Sequence, residues 1–331
     1  MMPDPSLAHT ADDASQPPCA PRVGVIYNPR SHRNKGREPA VPTHPCIEVA
    51  RPSTKPEIAM ALRRFAADGI DYLVISGGDG TVRDVLTMGY GVFGDDWPVL
   101  AVLPRGKTNA LNADIAAPQA WRLEDAVAAY DSGRRVSRRP IVVRGESDTG
   151  EAMLGFILGA GIYAEGVRSG QDAHRLGLFD SLAVGLTSAW GIAQTLIGRN
   201  SSKWRRGTEM ALHCLPGGAP IDYARRADRG RRSLLLASTL QRMPLGLKLF
   251  GPWQGGIRML ILDRARRRVM AFVPAMLAGW HPGWLRRAGL HQITVEGFAM
   301  EIAEGFVLDG ESFAAGAYTV TQGPELTFVT T

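Results

Sequence analysis

Short apolar runs alternate with amphipathic stretches over the first 140 residues of the chain. Apolar runs of this length are typical of buried β-strands, and apolar residues repeated every three or four positions are typical of helices that cover a sheet. The predicted strands span residues 22–28, 46–50, 71–76 and 97–103, and the predicted helices span residues 56–68, 81–90, 107–116 and 122–132. This alternation predicts an α/β domain with a parallel sheet that helices cover on both faces.

Beyond Pro140 the pattern changes to many short apolar runs separated by turn residues, which is typical of an antiparallel sandwich or barrel. The predicted strands span residues 141–143, 152–158, 209–214, 234–238, 256–262, 293–295, 299–302, 305–308 and 318–321, with one helix at 178–198. We therefore expect a proline-rich disordered tail at 1–21, an α/β domain at 22–140 and a β-rich domain at 141–331.

The segment that carries most chemical information is Ser76-Gly77-Gly78-Asp79-Gly80-Thr81, which follows the apolar run at 72–75. Glycines let the backbone turn sharply, and a strand followed by a glycine turn and a helix presents free N–H groups to an anion. The segment therefore predicts a phosphate site. Bare phosphate would repel a carboxylate among these glycines, so we expect Asp79 to hold a metal ion or to take a proton from an attacking hydroxyl group.

Two further loops follow strands of the same predicted sheet, and all three loops are expected to meet at its carboxyl edge. Asn28 and Ser31 follow the first strand and offer hydrogen bonds to phosphate or ribose oxygens. The loop at 104–109 ends like a Walker A loop, but Ala101 stands where that loop requires its first glycine. In the second domain, the segment 309–311 ends a strand and is placed to reach back into the cleft.

Taken together, these segments resemble the motifs of the diacylglycerol kinase catalytic family, which includes bacterial lipid kinases, sphingosine kinases and ceramide kinases. Four matches, at residues 23–31, 77–81, 103–111 and 309–311, occur in the order that the family has, and the similarity spans residues 22–329. Lys107 stands where the family usually has threonine or serine. The family often has an Asp-Asp-Gly segment linked to a structural magnesium ion where this chain has Trp253-Gln254-Gly255-Gly256.

The resemblance implies ATP-dependent phosphorylation of the hydroxyl group of a membrane lipid, with ATP and Mg²⁺ as cofactors. It implies catalytic roles for Asp79, Asp309 and Glu311, and metal binding by Asp79. The residues that it implies for ATP binding are Asn28, Ser31, Gly77, Gly78, Gly80, Thr81, Gly106, Lys107, Thr108 and Asn109. Residues 159–165 resemble the segment that faces the lipid headgroup, which makes Glu165 the candidate for orienting the acceptor.

The net charge of +6 is accompanied by arginine clusters at 225–232 and 264–268, and apolar residues with Trp280 and Trp284 follow the second cluster. Basic groups beside tryptophan suit an anionic membrane surface, whereas no nucleic-acid-binding motif accompanies the charge. No apolar run is long enough to span a bilayer, and residues 1–20 lack the apolar core of a signal peptide. We therefore expect a cytoplasmic protein, peripheral to the inner face of the membrane.

Two other functions remain open on the sequence alone. An NAD kinase shares the glycine-aspartate motif and the two-domain plan, although the loop at 104–109 and the basic apolar surface argue against it. A non-catalytic lipid or nucleotide sensor is compatible with the departures at His32, Lys107 and Gln254. The lipid is open as well: residues 109–111 and Glu165 favour a sphingoid base or ceramide over diacylglycerol by a small margin. The sequence does not predict the oligomeric state.

Overall fold

A computed structural model of the protein describes residues 21–36, 46–146, 152–175, 207–251 and 253–331, with the backbone alone described at 169–175. Its strands form three sheets of six strands each. One sheet and its helices form the first domain, and the other two sheets face each other in the second. The predicted helix at 178–198 lies outside the described residues. Across the described ranges, no helix combines the length and the apolar character needed to cross a bilayer.

The first sheet takes five strands from the start of the chain and one from its end. These strands are β1 (Val23–Tyr27), β2 (Ile47–Ala50), β3 (Tyr72–Gly77), β4 (Val99–Pro104), β5 (Arg134–Arg138) and β18 (Leu326–Thr330). Their order is β2-β1-β3-β4-β18-β5, and each neighbouring pair is parallel except β18 with β5. The α/β prediction is confirmed, and the sheet is mixed rather than wholly parallel.

The two strands absent from the predicted set of this sheet have different reasons to escape a sequence pattern. Strand β5 has the sequence Arg-Arg-Val-Ser-Arg and lies largely exposed at the sheet edge, so it shows no apolar run. Strand β18 is apolar and buried, but it returns to this sheet from the far end of the chain. Local periodicity carries no information about such a long-range pairing.

Four helices cover the first sheet, each within three residues of its predicted bounds. They are α1 (Lys55–Ala67), α2 (Asp79–Phe93), α3 (Ala110–Ile115) and α4 (Leu123–Ser132). Helix α1 begins at an N-cap in which the Thr54 side chain accepts the Glu57 N–H, and it buries Ile58, Leu62 and Phe65. Helix α2 begins directly after the glycine turn, so its free N–H groups face the carboxyl edge of the sheet.

The second domain is an antiparallel sandwich, as predicted. One sheet contains β6 (Ile141–Gly145), β7 (Met153–Gly155), β9 (Thr208–Leu215), β10 (Arg231–Arg232), β14 (Gly297–Ile302) and β17 (Gly316–Gln322). The other contains β8 (Ile157–Gly161), β11 (Leu234–Ser238), β12 (Ile257–Leu262), β13 (Leu290–Val295), β15 (Phe306–Leu308) and β16 (Glu311–Phe313). Apolar residues that include Phe298 and Phe306 fill the space between them. The single strand predicted at 152–158 is two strands, because the chain crosses between the sheets at Phe156.

Among the described residues of this domain, three helices were not predicted: α5 (Ile162–Arg175), α6 (Arg267–Leu277) and α7 (Trp284–Arg287). Helices α6 and α7 cover the outer face of the β8-containing sheet, where Leu260 and Leu262 belong to the same apolar core as Val269 and Leu285. That core continues into the first domain. The two domains are therefore packed together through this face. The predicted domain boundary at 140/141 stays a prediction, and sheet membership assigns β18 to the first domain.

The sandwich contains a charge pair that is removed from solvent. Arg232 Nη1 lies 2.5 Å from Asp263 Oδ1, and both side chains are 0% exposed. Asp263 also accepts the Ala224 N–H at 2.9 Å and contacts His291 Nε2 at 2.9 Å. Burial lowers the pKa of Arg232, and the charge of Asp263 opposes that shift. An unpaired charge left at this depth would be costly.

We expect Arg232→Met to destabilise the protein by about 3–5 kcal/mol, because it leaves the buried Asp263 charge without its cation. The adjacent Arg231 pairs with Glu209 at 2.8 Å on the surface, so Arg231→Met is the matched control and should change stability by less than about 1 kcal/mol. Urea denaturation at neutral pH measures both. Equal losses of unfolding free energy in the two variants would mean that the buried pair contributes no more to stability than the surface pair.

Candidate functional site

Two loops at the carboxyl edge of the first sheet touch backbone to backbone. A side chain at Gly78 would place its Cβ 2.8 Å from the Cα of Gly106, and one at Gly106 would place its Cβ 2.7 Å from the Cα of Gly78. The Arg105 N–H also donates to the Gly77 carbonyl at 3.0 Å. This contact alone requires glycine at both positions, before any ligand is considered.

Asp79 begins helix α2, and its carboxylate reaches the start of helix α3. Its Oδ1 accepts the Ala110 N–H at 2.6 Å. Burial raises the pKa of Asp79, and the backbone N–H groups of residues 109–111 act in the opposite direction. Asp79 therefore joins the two loops while remaining a proton acceptor of raised basicity, which suits a general base.

Asn109 fixes the shape of the second loop. It is buried and has a φ of 48°, a left-handed conformation that asparagine tolerates better than most residues. Its Oδ1 accepts the Gly106 N–H at 2.8 Å, and its Nδ2 donates to the Gly106 carbonyl at 3.0 Å. Lys107 and Thr108 lie between them at the exposed tip of the loop. The structure thus assigns Asn109 to the loop itself, and places Lys107 and Thr108 where a ligand can reach them.

The loop after β1 joins the same edge. Asn28 Nδ2 donates to Thr81 Oγ1 at 2.8 Å, and the Ser31 N–H donates to the Asn28 carbonyl at 3.2 Å. Asn34, which was not predicted as a site residue, donates from Nδ2 to the carbonyls of Asn28 at 2.9 Å and Ser76 at 3.2 Å. The three loops that carry the predicted ATP-binding residues are therefore brought together as expected.

Asp309 reaches the site from the second domain through a two-residue hairpin turn. Asp309 and Gly310 connect β15 to β16 with φ values of 43° and 83°, the pattern of a type I′ turn. The Asp309 carboxylate accepts the N–H groups of Phe156 at 2.9 Å and Ile157 at 2.8 Å. Burial and then the nearby charge of Asp79 raise the pKa of Asp309 to about 7, so the two carboxylates lie close enough to repel each other.

Tyr163 completes this group and was not predicted. It stands in the first turn of α5, and its ring lies over β8, where a Cβ at Gly159 would be 2.1 Å from the Tyr163 Cδ1. Burial, then the charges of Asp309 and Asp79, raise the pKa of Tyr163, so its hydroxyl group stays protonated beside both carboxylates. The sequence contains a signal for it: Tyr163 is an aromatic residue two positions after Gly161, within the segment 159–165 that resembles the headgroup-facing one.

Glu311 lies in an ion-pair network between the domains. Its Oε2 is 2.5 Å from Arg83 Nη2, and its Oε1 is 3.1 Å from Lys55 Nζ. Asp84 lies 2.9 Å from Arg83 and 3.7 Å from Lys55. Arg83 is buried and also donates to the Asp309 carbonyl at 3.3 Å, so it holds the turn that carries Asp309. The catalytic role of Glu311 stays a prediction, and its contacts are those of a residue that joins the domains.

Glu165 lies on the first turns of α5 and pairs with Arg168 at 3.4 Å. Arg168 in turn donates to the Gly305 carbonyl at 3.4 Å. Both side chains are about one-third exposed, and no described contact joins Glu165 to Asp79. Its role in orienting the acceptor therefore stays a prediction.

We expect Asp79→Asn to change how stability depends on pH. A carboxyl group whose pKa is raised by folding binds a proton on folding, so its contribution to stability falls as the pH rises from about 4, the unfolded value, to the folded value. For Asp309 the folded value is about 7, and removing the Asp79 charge should lower it. In the variant, the fall in stability with rising pH therefore ends at a lower pH than in wild type. The thermal midpoint of the variant, relative to wild type, should therefore rise across this pH window.

Differential scanning calorimetry at several pH values measures this difference. Asp95→Asn, an exposed change just beyond the end of α2, is the matched control and should shift the midpoint equally at every pH. A difference for Asp79→Asn that does not vary with pH would contradict the coupling of the two carboxylates.

Residues 22–140 match the family model described as the diacylglycerol kinase catalytic domain. No curated protein sequence matches the chain. Two solved structures from Bacillus anthracis str. Sterne, each described as a "putative diacylglycerol kinase", are similar in fold, with 13% identity and a TM-score of 0.64, and 12% identity and a TM-score of 0.66. Each match covers 94% of this chain and 97% of the other.

A third structure, described as a diacylglycerol kinase of the same organism, has 11% identity and a TM-score of 0.60 over the same shares of both chains. Identities this low show a common fold and do not identify the substrate of this protein. Residues 22–140 of this chain therefore match the model of the diacylglycerol kinase catalytic domain, within a two-domain fold that the chain shares with these Bacillus anthracis proteins.

Proposed function

We propose that the protein is an ATP-dependent lipid kinase that transfers the γ-phosphoryl group of ATP to the hydroxyl group of a membrane lipid. The observation that supports this most strongly is the position of Asp79. It stands at the N-terminus of α2, bonded to the N-terminus of α3, and faces Asp309 and Tyr163 from the other domain. Phosphate-binding backbone on one side and titratable groups on the other suit phosphoryl transfer.

The phosphates of ATP are proposed to lie at the start of α2. The first N–H groups of a helix have no partner within the helix, and together with the helix dipole they favour an anion. Gly80 is in this turn, and a Cβ there would meet only the Nη2 atom of Arg83, at 3.9 Å. The fold therefore leaves open space at Gly80, in contrast to Gly78.

In the proposed reaction, Asp79 accepts the proton of the lipid hydroxyl group as the hydroxyl oxygen attacks the γ-phosphorus. A new P–O bond forms to the lipid, the bond between the γ-phosphorus and the bridging oxygen breaks, and ADP leaves with that oxygen. Burial of Asp79 raises its pKa and so its basicity. The Tyr163 hydroxyl group, which lies near Asp79 and Asp309, is proposed to hold the acceptor beside it.

The donor set at the site fits magnesium that arrives with the nucleotide. Within the described residues, no three His, Cys, Asp or Glu side chains are grouped to hold a metal ion by themselves. Magnesium bound to a nucleotide needs only one or two protein carboxylates, since phosphates and waters supply its other ligands. Asp79, with Asp309 close by, would hold it, and when bound it would neutralise charge on the phosphates.

The narrower proposal for the acceptor is ceramide or a sphingoid base, which rests on residues 109–111 and Glu165. The alternatives are diacylglycerol, a soluble NAD acceptor or no turnover at all. A radiolabelled-ATP assay against diacylglycerol, ceramide, sphingosine and NAD separates these outcomes. Loss of sphingolipid preference in Glu165→Gln would support the narrower proposal, and an unchanged preference for diacylglycerol would contradict it.

Asp79→Asn should lower kcat by about a hundredfold or more, because the amide cannot accept the proton. The variant keeps an oxygen that can accept the Ala110 N–H, so the two loops should stay in place. Asp95→Asn is again the control, with unchanged kcat. Near-normal turnover by a folded Asp79→Asn enzyme would refute the proposed role.

Gly80→Asp should weaken ATP binding by at least about tenfold, because it places a carboxylate where the phosphates are proposed to lie. The change adds an acidic residue to the first helical turn, which a helix tolerates well. Gly91→Asp adds the same group to the exposed side of α2 with no atom within 4 Å of its Cβ, and should leave ATP binding unchanged. Isothermal titration calorimetry measures both, and equal affinities would place the phosphates elsewhere.

A further inference from the structure

One stretch of the chain carries a strong excess of positive charge. Residues 240–289 contain nine arginines and lysines and a single carboxylate, Asp263, whereas the whole chain has a net charge of only +6. Asp263 is buried against Arg232, so it does not offset the charge at the surface. Seven of the nine cations are exposed, namely Arg242, Lys248, Arg264, Arg267, Arg268, Arg286 and Arg287. The exposed charged side chains of this stretch are therefore all cationic.

Two large apolar side chains of the same stretch are mostly exposed to solvent. Leu245 is 94% exposed and Trp280 is 63% exposed. Leu245 also has a φ of 58°, a left-handed conformation that is unfavourable for leucine and that glycine or asparagine adopts at lower cost. An exposed leucine in this conformation gains nothing from the fold. The presence of leucine at position 245 is explained if its side chain becomes buried in a binding partner outside the protein.

Leu245 and Trp280 belong to one continuous surface. The Lys248 N–H donates to the Leu277 carbonyl at 3.0 Å, and the Lys248 carbonyl contacts His281 Nε2 at 2.8 Å, so the 244–249 turn lies against the end of α6. From Trp280 an aromatic strip continues to Phe272 at 5.0 Å and then to Trp284 at 5.3 Å, with Arg268 over the Trp284 ring. Arg266 is excluded, because it pairs with Asp228 and the Ala288 carbonyl.

We propose that this surface, defined by Leu245, Lys248, Phe272, Trp280 and Arg286, docks on a lipid bilayer that contains anionic headgroups. Apolar side chains at the tip would enter the headgroup region, and the surrounding cations would contact lipid phosphates. The exposed charged residues of this surface are all cations. They complement the uniform negative charge of an anionic membrane better than the mixed charges of a typical protein surface. The proposal rests on the proposed lipid kinase function and names the surface that brings the enzyme to its acceptor.

A short rigid link joins this surface to Asp79. The 244–246 turn contacts helix α3, and the buried Asp114 of that helix accepts the Arg242 N–H at 2.6 Å. Arg138 Nε also donates to Asp114, at 2.5 Å. The other end of α3 is the Ala110 N–H that bonds to Asp79. Six helical residues span about 9 Å, so the docking turn is one short helix away from the proposed site of phosphoryl transfer.

Leu245→Asn separates a membrane role from a structural one. Asparagine suits the left-handed conformation better than leucine, so the thermal midpoint should stay the same or rise. Partitioning to vesicles of phosphatidylcholine and phosphatidylglycerol should fall about tenfold, the effect of withdrawing one leucine side chain from an apolar medium. Trp280→Ser should lower it by a similar factor. Met60→Ser, which changes a side chain that is 65% exposed on α1, is the matched control and should bind as wild type does.

The electrostatic contribution to vesicle binding is measured separately, through its dependence on salt and on lipid charge. Binding should weaken as salt rises and should be lost on vesicles of phosphatidylcholine alone. Arg286→Gln with Arg287→Gln should reduce the salt dependence. Wild-type binding by both Leu245→Asn and Trp280→Ser would overturn the proposal. Binding to double-stranded DNA that competes with vesicles and is unaffected by Leu245→Asn would identify a nucleic-acid surface instead, and would also overturn it.

Cosedimentation without nucleotide keeps this test independent of catalysis. A short-chain acceptor dissolved as monomers should be phosphorylated equally by wild type and Leu245→Asn, because neither needs a bilayer to reach it. Vesicle binding without any kinase activity would retain the docking surface and reject the proposed function. Kinase activity on the soluble acceptor without vesicle binding would retain the proposed function and reject the docking surface.

Discussion

The hydrogen bond from the Ala110 N–H to the Asp79 carboxylate holds the carboxyl edge of the first sheet in one arrangement. The loops after β3 and β4 leave neighbouring strands, and this bond fixes how one loop lies on the other, together with the contact between Gly78 and Gly106 and the hydrogen bond from the Arg105 N–H to the Gly77 carbonyl. The same carboxylate faces Asp309, whose pKa it raises. A buried pair of acids is unfavourable for folding, and such arrangements cluster where a protein performs chemistry or binds a cation.

Much of this site follows from sequence because its parts are local. A strand, a glycine turn and a helix start can be recognised within ten residues, and loops that follow parallel strands of one sheet meet at its carboxyl edge. The hairpin turn at Asp309-Gly310 is equally local, since the dipeptide favours positive φ at both positions. What the sequence could not show is which groups cross between the domains. Arg83 and Tyr163 acquire their roles from partners more than eighty residues away.

Arg83 illustrates why such residues escape a pattern. It stands among the apolar positions of α2 and would be taken for a solvated charge, but it is 8% exposed. Its guanidinium group serves Asp84, Glu311 and the Asp309 carbonyl at once. The planar fork of arginine suits several acceptors held at fixed positions, which lysine would not reach together. Arg83 therefore joins the two domains close to the candidate site, beside the turn that carries Asp309.

The return of β18 to the first sheet makes the order of synthesis matter. Strand β18 lies between β4 and β5, so a nascent chain that ends at residue 140 has the glycine turn and its helices but lacks an inner strand of their sheet. Leu100 in β4, which pairs with Phe328, then presents an open edge. The first sheet therefore cannot be completed until the chain of the second domain has been synthesised.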